Sequence, residues 1–152
     1  MALNKEFECQ VALFLIFCKF HEYVAPLGVN DAWENYVPQD YPPLLRPMEP
    51  HIREIYRRLR TELPDTQILY LMPFMIDAVE EKLPFHKTLD EYREILKNIA
   101  LENGAAILDM QEVFYNAQKT IEPKKLAVDG IHPTNLGHKV MTDEIEKMIN
   151  YN

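Results

Sequence analysis

Gln67-Ile68-Leu69-Tyr70-Leu71-Met72 is an almost continuous apolar run. Its length and scarcity of polar residues are typical of a strand that is covered on both faces, as the strands of parallel sheets are. Four apolar residues upstream recur at the spacing of one helical face: Ile52, Ile55, Tyr56 and Leu59. They predict an amphipathic helix over residues 49–62, which Pro64 follows. A helix that leads into a fully buried strand indicates an α/β fold with a parallel sheet.

The same alternation of helix and strand continues toward the C-terminus. Thr88-Leu89-Asp90-Glu91 has the spacing of a capping box and predicts a helix start, and Asn103-Gly104 predicts the end of that helix. The apolar residues 105–108 predict a second buried strand, and a last helix is expected to begin near Thr134. Residues 32–50 contain five prolines and predict a long loop.

Composition and charge limit the class of protein. The 152 residues are 47% apolar, enough for one core, and carry a net charge of −8 without a long run of Lys or Arg, which argues against a nucleic-acid partner. The apolar run 11–18 is shorter than the roughly 20 residues of a membrane-spanning helix and follows an acidic stretch. We therefore expect neither a membrane span nor a signal peptide. The two cysteines, Cys9 and Cys18, are interpreted as reduced residues, which predicts a cytoplasmic location.

Glycine is scarce, with four in the whole chain, and three of them lie in two short motifs. The motifs are Gly28-Val29-Asn30-Asp31 and the ten residues 129–138, which begin Asp129-Gly130-Ile131-His132-Pro133. We expect both motifs where loops leave the sheet or enter a helix, because open α/β sheets bind ligands there. An aspartate three residues before a histidine on a glycine turn can accept a hydrogen bond from one ring nitrogen. That bond fixes the tautomer and leaves the other nitrogen as a base.

In that order along the chain, the two motifs resemble the third and fifth sequence blocks of the SGNH/GDSL hydrolases, and the resemblance covers about residues 27–150. The resemblance implies an α/β fold, namely a flavodoxin-like three-layer α/β/α sandwich with a mainly parallel sheet. It also implies hydrolysis of acyl esters of lipids, carbohydrates or small molecules, without a metal or an organic cofactor.

The resemblance implies a role for four residues. His132 matches the general base of the family, and Asp129 matches the residue that orients this base. The backbone N–H of Gly28 and the side chain of Asn30 match donors of the oxyanion hole. Such donors stabilise charge that develops only in the transition state, and they therefore act on the rate of reaction.

The resemblance breaks at the nucleophile. The family's first block is a Gly-Asp-Ser turn after the first strand, and this chain contains no serine. Cys18 is a poor substitute because only nine residues separate it from Gly28, whereas a crossover between parallel strands needs about a dozen. We therefore predict a partial SGNH domain over residues 27–152, truncated at its N-terminus, in which ester hydrolysis is absent or very weak.

Residues 1–26 do not resemble the corresponding region of the family. If the family's strand order of 2-1-3-4-5 applies, the loss of strands one and two exposes one edge of the sheet. We predict that residues 1–26 form an atypical segment that covers the sheet or pairs with it through residues 11–17. Alternatively, a second copy of the chain covers this edge by self-association.

Two other hypotheses remain open. The first is a non-catalytic module that binds a carbohydrate or an acyl group on aromatic residues of the proline-rich stretch: Trp33, Tyr36 and Tyr41. The second is a divalent-metal site with oxygen and imidazole ligands: Asp31, Asp129, His132 and His138. The chain lacks the short ligand spacing of a structural zinc site, so the hydrolase interpretation is preferred over the metal site.

Overall fold

A computed structural model describes residues 22–26, 28–36 and 48–150 of the chain, with the side chains of residues 22–26, 31, 34–36 and 150 left undescribed. Strands and helices alternate along these residues. The strands are β1 (Glu22–Pro26), β2 (Gln67–Leu71) and β3 (Ala106–Leu108). The helices are α1 (Val29–Tyr36), α2 (Met48–Glu62), α3 (Phe85–Glu102), α4 (Met110–Ala117), α5 (Pro123–Leu126) and α6 (Asn135–Asn150). A short 3-10 helix, Glu80–Lys82, precedes α3.

The three strands form one parallel sheet in the order β1-β2-β3. The register runs from Glu22 opposite Gln67 to Pro26 opposite Leu71, and Leu71 in turn lies opposite Leu108. The predicted α/β class is confirmed, and both predicted strands agree with the structure to within one residue. Because the strands are parallel, their carboxyl ends lie along one edge of the sheet, and the loops that follow them meet there.

Alternate residues of β2 face opposite sides of the sheet, and helices cover both sides. Ile68 and Tyr70 pack in one cluster with apolar residues of α2 and α3. Leu69 and Leu71 pack in another with apolar residues of α4, α5 and α6. All four residues are buried, and complete burial of one such side chain contributes about 1.5–3 kcal/mol. Burial on both faces explains why this strand reads as an uninterrupted apolar run.

A third apolar cluster joins segments that lie far apart in the sequence. Its fully buried members come from α1, the loop after β2, and α3: Ala32, Met75, Phe85 and Leu89. Val29 and Trp33 of α1 pack against it, and so does Ile131, which lies in the second glycine motif. The cluster therefore brings the beginning of α1 and the loop around Ile131 to the same part of the molecule.

Two predictions about helix boundaries are wrong. Helix α3 begins at Phe85 rather than at Thr88, because the fully buried Phe85 ring draws the chain into the helix one turn earlier than the capping pattern indicates. Residues 32–50 are also not a single loop. They are helical up to Tyr36 and again from Met48, where the burial of Ala32 and Met48 favours helix over the local effect of the prolines. Residues 37–47 lie outside the described structure.

Other helix ends agree with the sequence analysis. The helix predicted over 49–62 is confirmed as α2, and Gly104 adopts a φ of +67° directly after the end of α3. Thr134 caps α6, since its hydroxyl oxygen accepts the N–H of Gly137 at 3.2 Å. Helix α4 was not predicted from the sequence. Its N-terminus is capped by Asp109, whose carboxylate accepts the N–H groups of Gln111 and Glu112.

The predictions for residues 1–21, which include Cys9, Cys18 and the apolar run, fall outside the described residues. Within the described ranges, no helix combines the length and the apolar character needed to cross a membrane.

Candidate active site

Asp129 and His132 form a hydrogen-bonded pair, the dyad, in the loop between α5 and α6. This loop is called the dyad loop. The Oδ2 atom of Asp129 lies 2.6 Å from Nδ1 of His132. Its Oδ1 atom accepts two main-chain N–H groups, from Ile131 at 3.0 Å and from His132 at 2.8 Å. An antiparallel bridge between Ala127 and Pro133 closes the loop around the pair. The carboxylate is thus held by three contacts, and it fixes the orientation of the imidazole.

The loop turns at Gly130 in a conformation that a residue with a side chain rarely adopts. Gly130 has a φ of +83°, and its carbonyl oxygen accepts the N–H of Ile76 at 2.8 Å. A Cβ atom at this position would lie 2.7 Å from the carbonyl oxygen of Ile76. Glycine is therefore required both by the backbone conformation and by the close approach of the loop that follows β2.

Hydrogen bonding keeps Asp129 ionised. The N–H of His132 lowers the pKa of Asp129 most, and the His132 ring and the N–H of Ile131 lower it further, although burial opposes them. The pKa of this carboxyl consequently lies well below its ordinary range. Because Nδ1 of His132 faces the carboxylate, Nε2 is the nitrogen that remains for proton transfer. The His132 side chain is 84% exposed, so that nitrogen is accessible to solvent.

The first glycine motif forms the start of α1. Gly28 has a φ of +111°, and a Cβ atom there would clash with Cδ1 of Leu96, so a side chain is excluded from this position. Its carbonyl oxygen accepts the N–H of Ala32 at 3.0 Å and begins the helix. Asn30 lies in the first turn with its side chain exposed. Among the described contacts, the Gly28–Asn30 segment is connected to the dyad loop through the apolar cluster shared by Val29 and Ile131.

Lys82 also contacts the dyad loop, and the sequence analysis missed it. Its ammonium donates to the main-chain carbonyl of Asp129 at 2.8 Å, and it lies 5.4 Å from the centroid of the Trp33 ring. No sequence signal identifies this contact, because its acceptor is a carbonyl that every residue carries.

Gln111, which was not singled out from the sequence, holds the segment that contacts the dyad loop. Gln111 of α4 accepts the N–H of Met75 at 2.9 Å and donates to the carbonyl of Met75 at 2.8 Å. Met75 precedes Ile76, whose N–H holds Gly130. Gln111 therefore fixes the loop on which the glycine turn of the dyad rests.

The residues of the two alternative hypotheses are only partly described. The Trp33 ring packs edge-on against Phe85, with 5.0 Å between the ring centroids, while the Tyr36 side chain and Tyr41 lie outside the description. The side chain of Asp31 is undescribed as well, and His138 is exposed on α6. In the described part of the chain, no three His, Cys, Asp or Glu side chains lie close enough to hold a metal ion together.

A cavity of about 520 Å³ opens beside β3, away from the dyad. Its lining includes the apolar residues Met72, Ile107 and Val113 and charged residues such as Lys97 and Glu112. Neither Asp129 nor His132 lines it, so this cavity is not a substrate cleft for the dyad.

Comparison with known proteins adds an independent line of information. A sequence model of the GDSL-like lipase/acylhydrolase family matches residues 24–140. An acetylxylan esterase from Geobacillus stearothermophilus is 31% identical over 120 residues, which are 76% of this chain and 52% of that protein. The chain thus spans about half the length of the curated relative that it matches.

Solved structures show similar folds. The structure of an acetyl xylan esterase from Geobacillus stearothermophilus, 26% identical, superposes with a TM-score of 0.68 over 90% of this chain and 63% of that chain. A protein from Parabacteroides merdae described as a GDSL-like lipase is 25% identical and superposes with a TM-score of 0.73 over 92% of this chain and 66% of that chain.

Proposed function

This chain belongs to the GDSL-like lipase/acylhydrolase family, as the resemblance to SGNH/GDSL hydrolases predicted, and from this premise we propose that it carries the acid–base half of an acyl-ester hydrolase site. In this proposal His132 is the general base through Nε2, and Asp129 orients it through Nδ1. The N–H of Gly28 and the side-chain amide of Asn30 are the oxyanion donors. The contact of 2.6 Å between Nδ1 of His132 and Oδ2 of Asp129 carries the proposal.

The arrangement fits the chemistry of a base that removes a proton from a hydroxyl group. An ionised carboxylate on Nδ1 stabilises the imidazolium that forms when Nε2 takes up the proton. The three hydrogen bonds to Asp129 hold the pair in place before a substrate arrives, and such preorganisation lowers the cost of reaching the transition state.

We propose that ester hydrolysis by these 152 residues is absent or very weak. They include no serine for His132 to activate. Without the nucleophile an acyl-enzyme cannot form by the route of the family. Binding and an oxyanion hole alone leave a residual acceleration of about 10³- to 10⁴-fold over water in complete serine hydrolases.

For the substrate class we propose small acyl esters, and acetylated carbohydrates in particular. The support is the relative from Geobacillus stearothermophilus, whose name specifies acetylxylan, with 31% identity over 76% of this chain. A cytoplasmic location stays a prediction.

We also propose that the sheet is part of a flavodoxin-like three-layer sandwich in which β1, β2 and β3 correspond to the third, fourth and fifth strands of the family. Three parallel strands in sequential order, with helices on both faces, support this assignment. The outer edge of β1 would then pair with residues 11–17 or with a second copy of the chain.

An esterase assay tests the proposed function. With p-nitrophenyl acetate and with an acetylated xylo-oligosaccharide, we expect rates close to the buffer background, and His132→Ala should leave them unchanged. Turnover well above background that His132→Ala abolishes would show that the inactivity proposal is wrong and that another group serves as the nucleophile.

The binding-module hypothesis is tested separately. Trp33 is the single tryptophan of the chain, so titration with an unhydrolysed acetylated oligosaccharide reports on it directly through its fluorescence. Its ring is half-buried and packs edge-on against Phe85, which favours a packing role and predicts no change in emission. A saturable change would favour the binding module.

A further inference from the structure

One lysine contacts both the loop of Asp129 and helix α1. Lys82 ends the 3-10 helix Glu80–Lys82, and its ammonium donates to the main-chain carbonyl of Asp129 at 2.8 Å. The same ammonium lies 5.4 Å from the centroid of the Trp33 ring, within the range of a cation–π interaction. We propose that Lys82 is a positioning residue that holds α1 against the dyad loop. The proposal rests on the proposed function, since it matters only if Asn30 and His132 act on one substrate.

Trp33 and Asn30 lie on the same side of α1. They are three residues apart, which places one above the other across a single turn of helix. The Trp33 ring is fixed by its edge-on contact with Phe85, with 81° between the ring planes, and Phe85 is fully buried. A cation held against this ring therefore links α1, whose first turn contains Asn30, to the loop of Asp129.

The ammonium of Lys82 makes two described contacts, one with the carbonyl of Asp129 and one with the Trp33 ring. Lys82 is half-buried, and no ion pair joins it to a carboxylate among the described residues. A partly desolvated ammonium needs compensating contacts, and the carbonyl of Asp129 and the face of Trp33 supply them. Both contacts thus stabilise the Lys82 ammonium. They also restrict the movement of α1 relative to the loop of Asp129.

The apolar cluster alone does not define the site as tightly. Val29 and Ile131 pack at its border, and apolar contacts are non-directional, so they permit small sliding movements. A site that combines a base with oxyanion donors must hold them to within about 0.5 Å. The directional hydrogen bond of Lys82 to Asp129 supplies a constraint that packing does not.

Three variants of the full chain separate this role from general stabilisation. Lys82→Met removes the charge and the donor, Lys82→Arg keeps both, and Lys82→Gln keeps a donor but removes the charge. The matched control is Lys87→Met, which removes an exposed charge on α3 five residues away. The measurements are Trp33 emission, the ¹⁵N chemical shifts of the His132 ring, which report its tautomer, and the melting temperature.

We expect Lys82→Met to shift Trp33 emission to longer wavelength, because the ring loses its cover, and to reduce the population of the Nδ1–H tautomer of His132. Lys82→Arg should restore both signals. Lys82→Gln should shift Trp33 emission but leave the tautomer of His132 as in the parent chain. If Lys82→Met does not fold, Lys82→Gln takes its place in the test. Lys87→Met should change neither signal.

Unchanged Trp33 emission and His132 shifts in folded Lys82→Met would overturn the proposal. So would Lys82→Arg behaving like Lys82→Met, or a lower melting temperature in Lys82→Met without a change in either signal, which would mark Lys82 as structural only. None of these measurements uses an ester. The proposal about Lys82 and the proposed hydrolase function can therefore fail independently.

Discussion

The main-chain N–H of Ile76 donates to the carbonyl oxygen of Gly130 at 2.8 Å, which joins the loop after β2 to the turn that carries Asp129 and His132. The main chains of Gly130 and Ile76 approach each other closely at this contact. A Cβ atom on residue 130 would lie 2.7 Å from the carbonyl oxygen of Ile76. The position of the Asp129–His132 pair thus depends on the backbone conformation of Gly130.

The first prediction concerns this glycine. Gly130→Ala should reduce the free energy of unfolding by about 3 kcal/mol, because it adds a clash with main-chain atoms to the cost of a positive φ. Gly104→Ala is the matched control. Its φ of +67° is also positive, but the nearest atom to the added Cβ is the end of the Arg60 side chain at 3.5 Å, so about 1 kcal/mol is expected. Equal losses in urea unfolding would contradict the role of Ile76.

The second prediction concerns pH. The pKa of Asp129 is lower in the folded chain than in the unfolded chain, where it is about 4. The stability that its charge contributes is therefore fully present above about pH 5 and is lost as the pH falls toward the folded pKa. Asp129→Asn should cost about 1 kcal/mol at pH 7, allowing for solvent screening of this partly exposed group, and progressively less below pH 4.

Urea unfolding across this pH range measures the difference between the parent chain and Asp129→Asn. Asp65→Asn is the control, because Asp65 is an exposed turn residue. Its effect should be small, because the side chain is exposed. A cost for Asp129→Asn that stays constant down to pH 3 would contradict the lowered pKa of Asp129.

The third prediction concerns Asp109, which performs two tasks at the end of β3. It caps α4 by accepting the N–H groups of Gln111 and Glu112, and its Oδ1 also accepts a hydrogen bond from Arg93 at 2.6 Å. The Arg93 side chain is only 13% exposed. Asp109→Ala should cost about 3 kcal/mol, since it removes the cap and leaves a largely buried charge with one partner fewer.

Asp109→Asn separates the contribution of the helix cap from that of the ion pair with Arg93. The amide oxygen of asparagine can still cap α4, but it carries no charge to pair with Arg93. We expect it to recover about 1 kcal/mol of the loss in Asp109→Ala, the usual worth of a cap. Chemical denaturation of both variants provides the measurement. If Asp109→Asn is as unstable as Asp109→Ala, the cap contributes nothing at this position.

The fourth prediction concerns assembly. If the side of β1 that faces away from β2 is an open sheet edge, its main-chain groups can pair with another chain. We expect light scattering to show a dimer or a larger species whose proportion grows with concentration. A stable monomer at every concentration would contradict self-association and would favour pairing with residues 11–17.

The sequence predicted the elements whose apolar pattern is long and regular. Strand β2 and helices α2 and α6 follow from local periodicity, because their buried faces repeat with the period of the element. The start of α3 at Phe85 could not be predicted in this way, since it depends on the burial of that ring against residues distant in sequence. Tertiary packing there overrides a capping pattern that is valid locally.

The contact between Asp129 and His132 was predictable because, like the pattern of β2, it depends on residues close together in the sequence. Asp129 and His132 lie three residues apart, and their contact follows from a glycine turn that is visible in the sequence. Lys82 and Gln111 were not predictable, because each bonds to main-chain atoms about 36 to 47 residues away, and any residue type could supply those atoms. Long-range contacts to the backbone leave no pattern in a single sequence.

The side chain of Asp129 finds its hydrogen-bond partners within its own loop. The carboxylate of Asp129 is satisfied within residues 129–132, and the bridge between Ala127 and Pro133 completes the turn. Each of these contacts joins atoms within residues 127–133, so the orientation of the imidazole relative to the carboxylate is set by seven consecutive residues. Changing a group elsewhere in the chain that the imidazole faces should therefore leave the hydrogen bonds of this Asp-x-x-His turn in place.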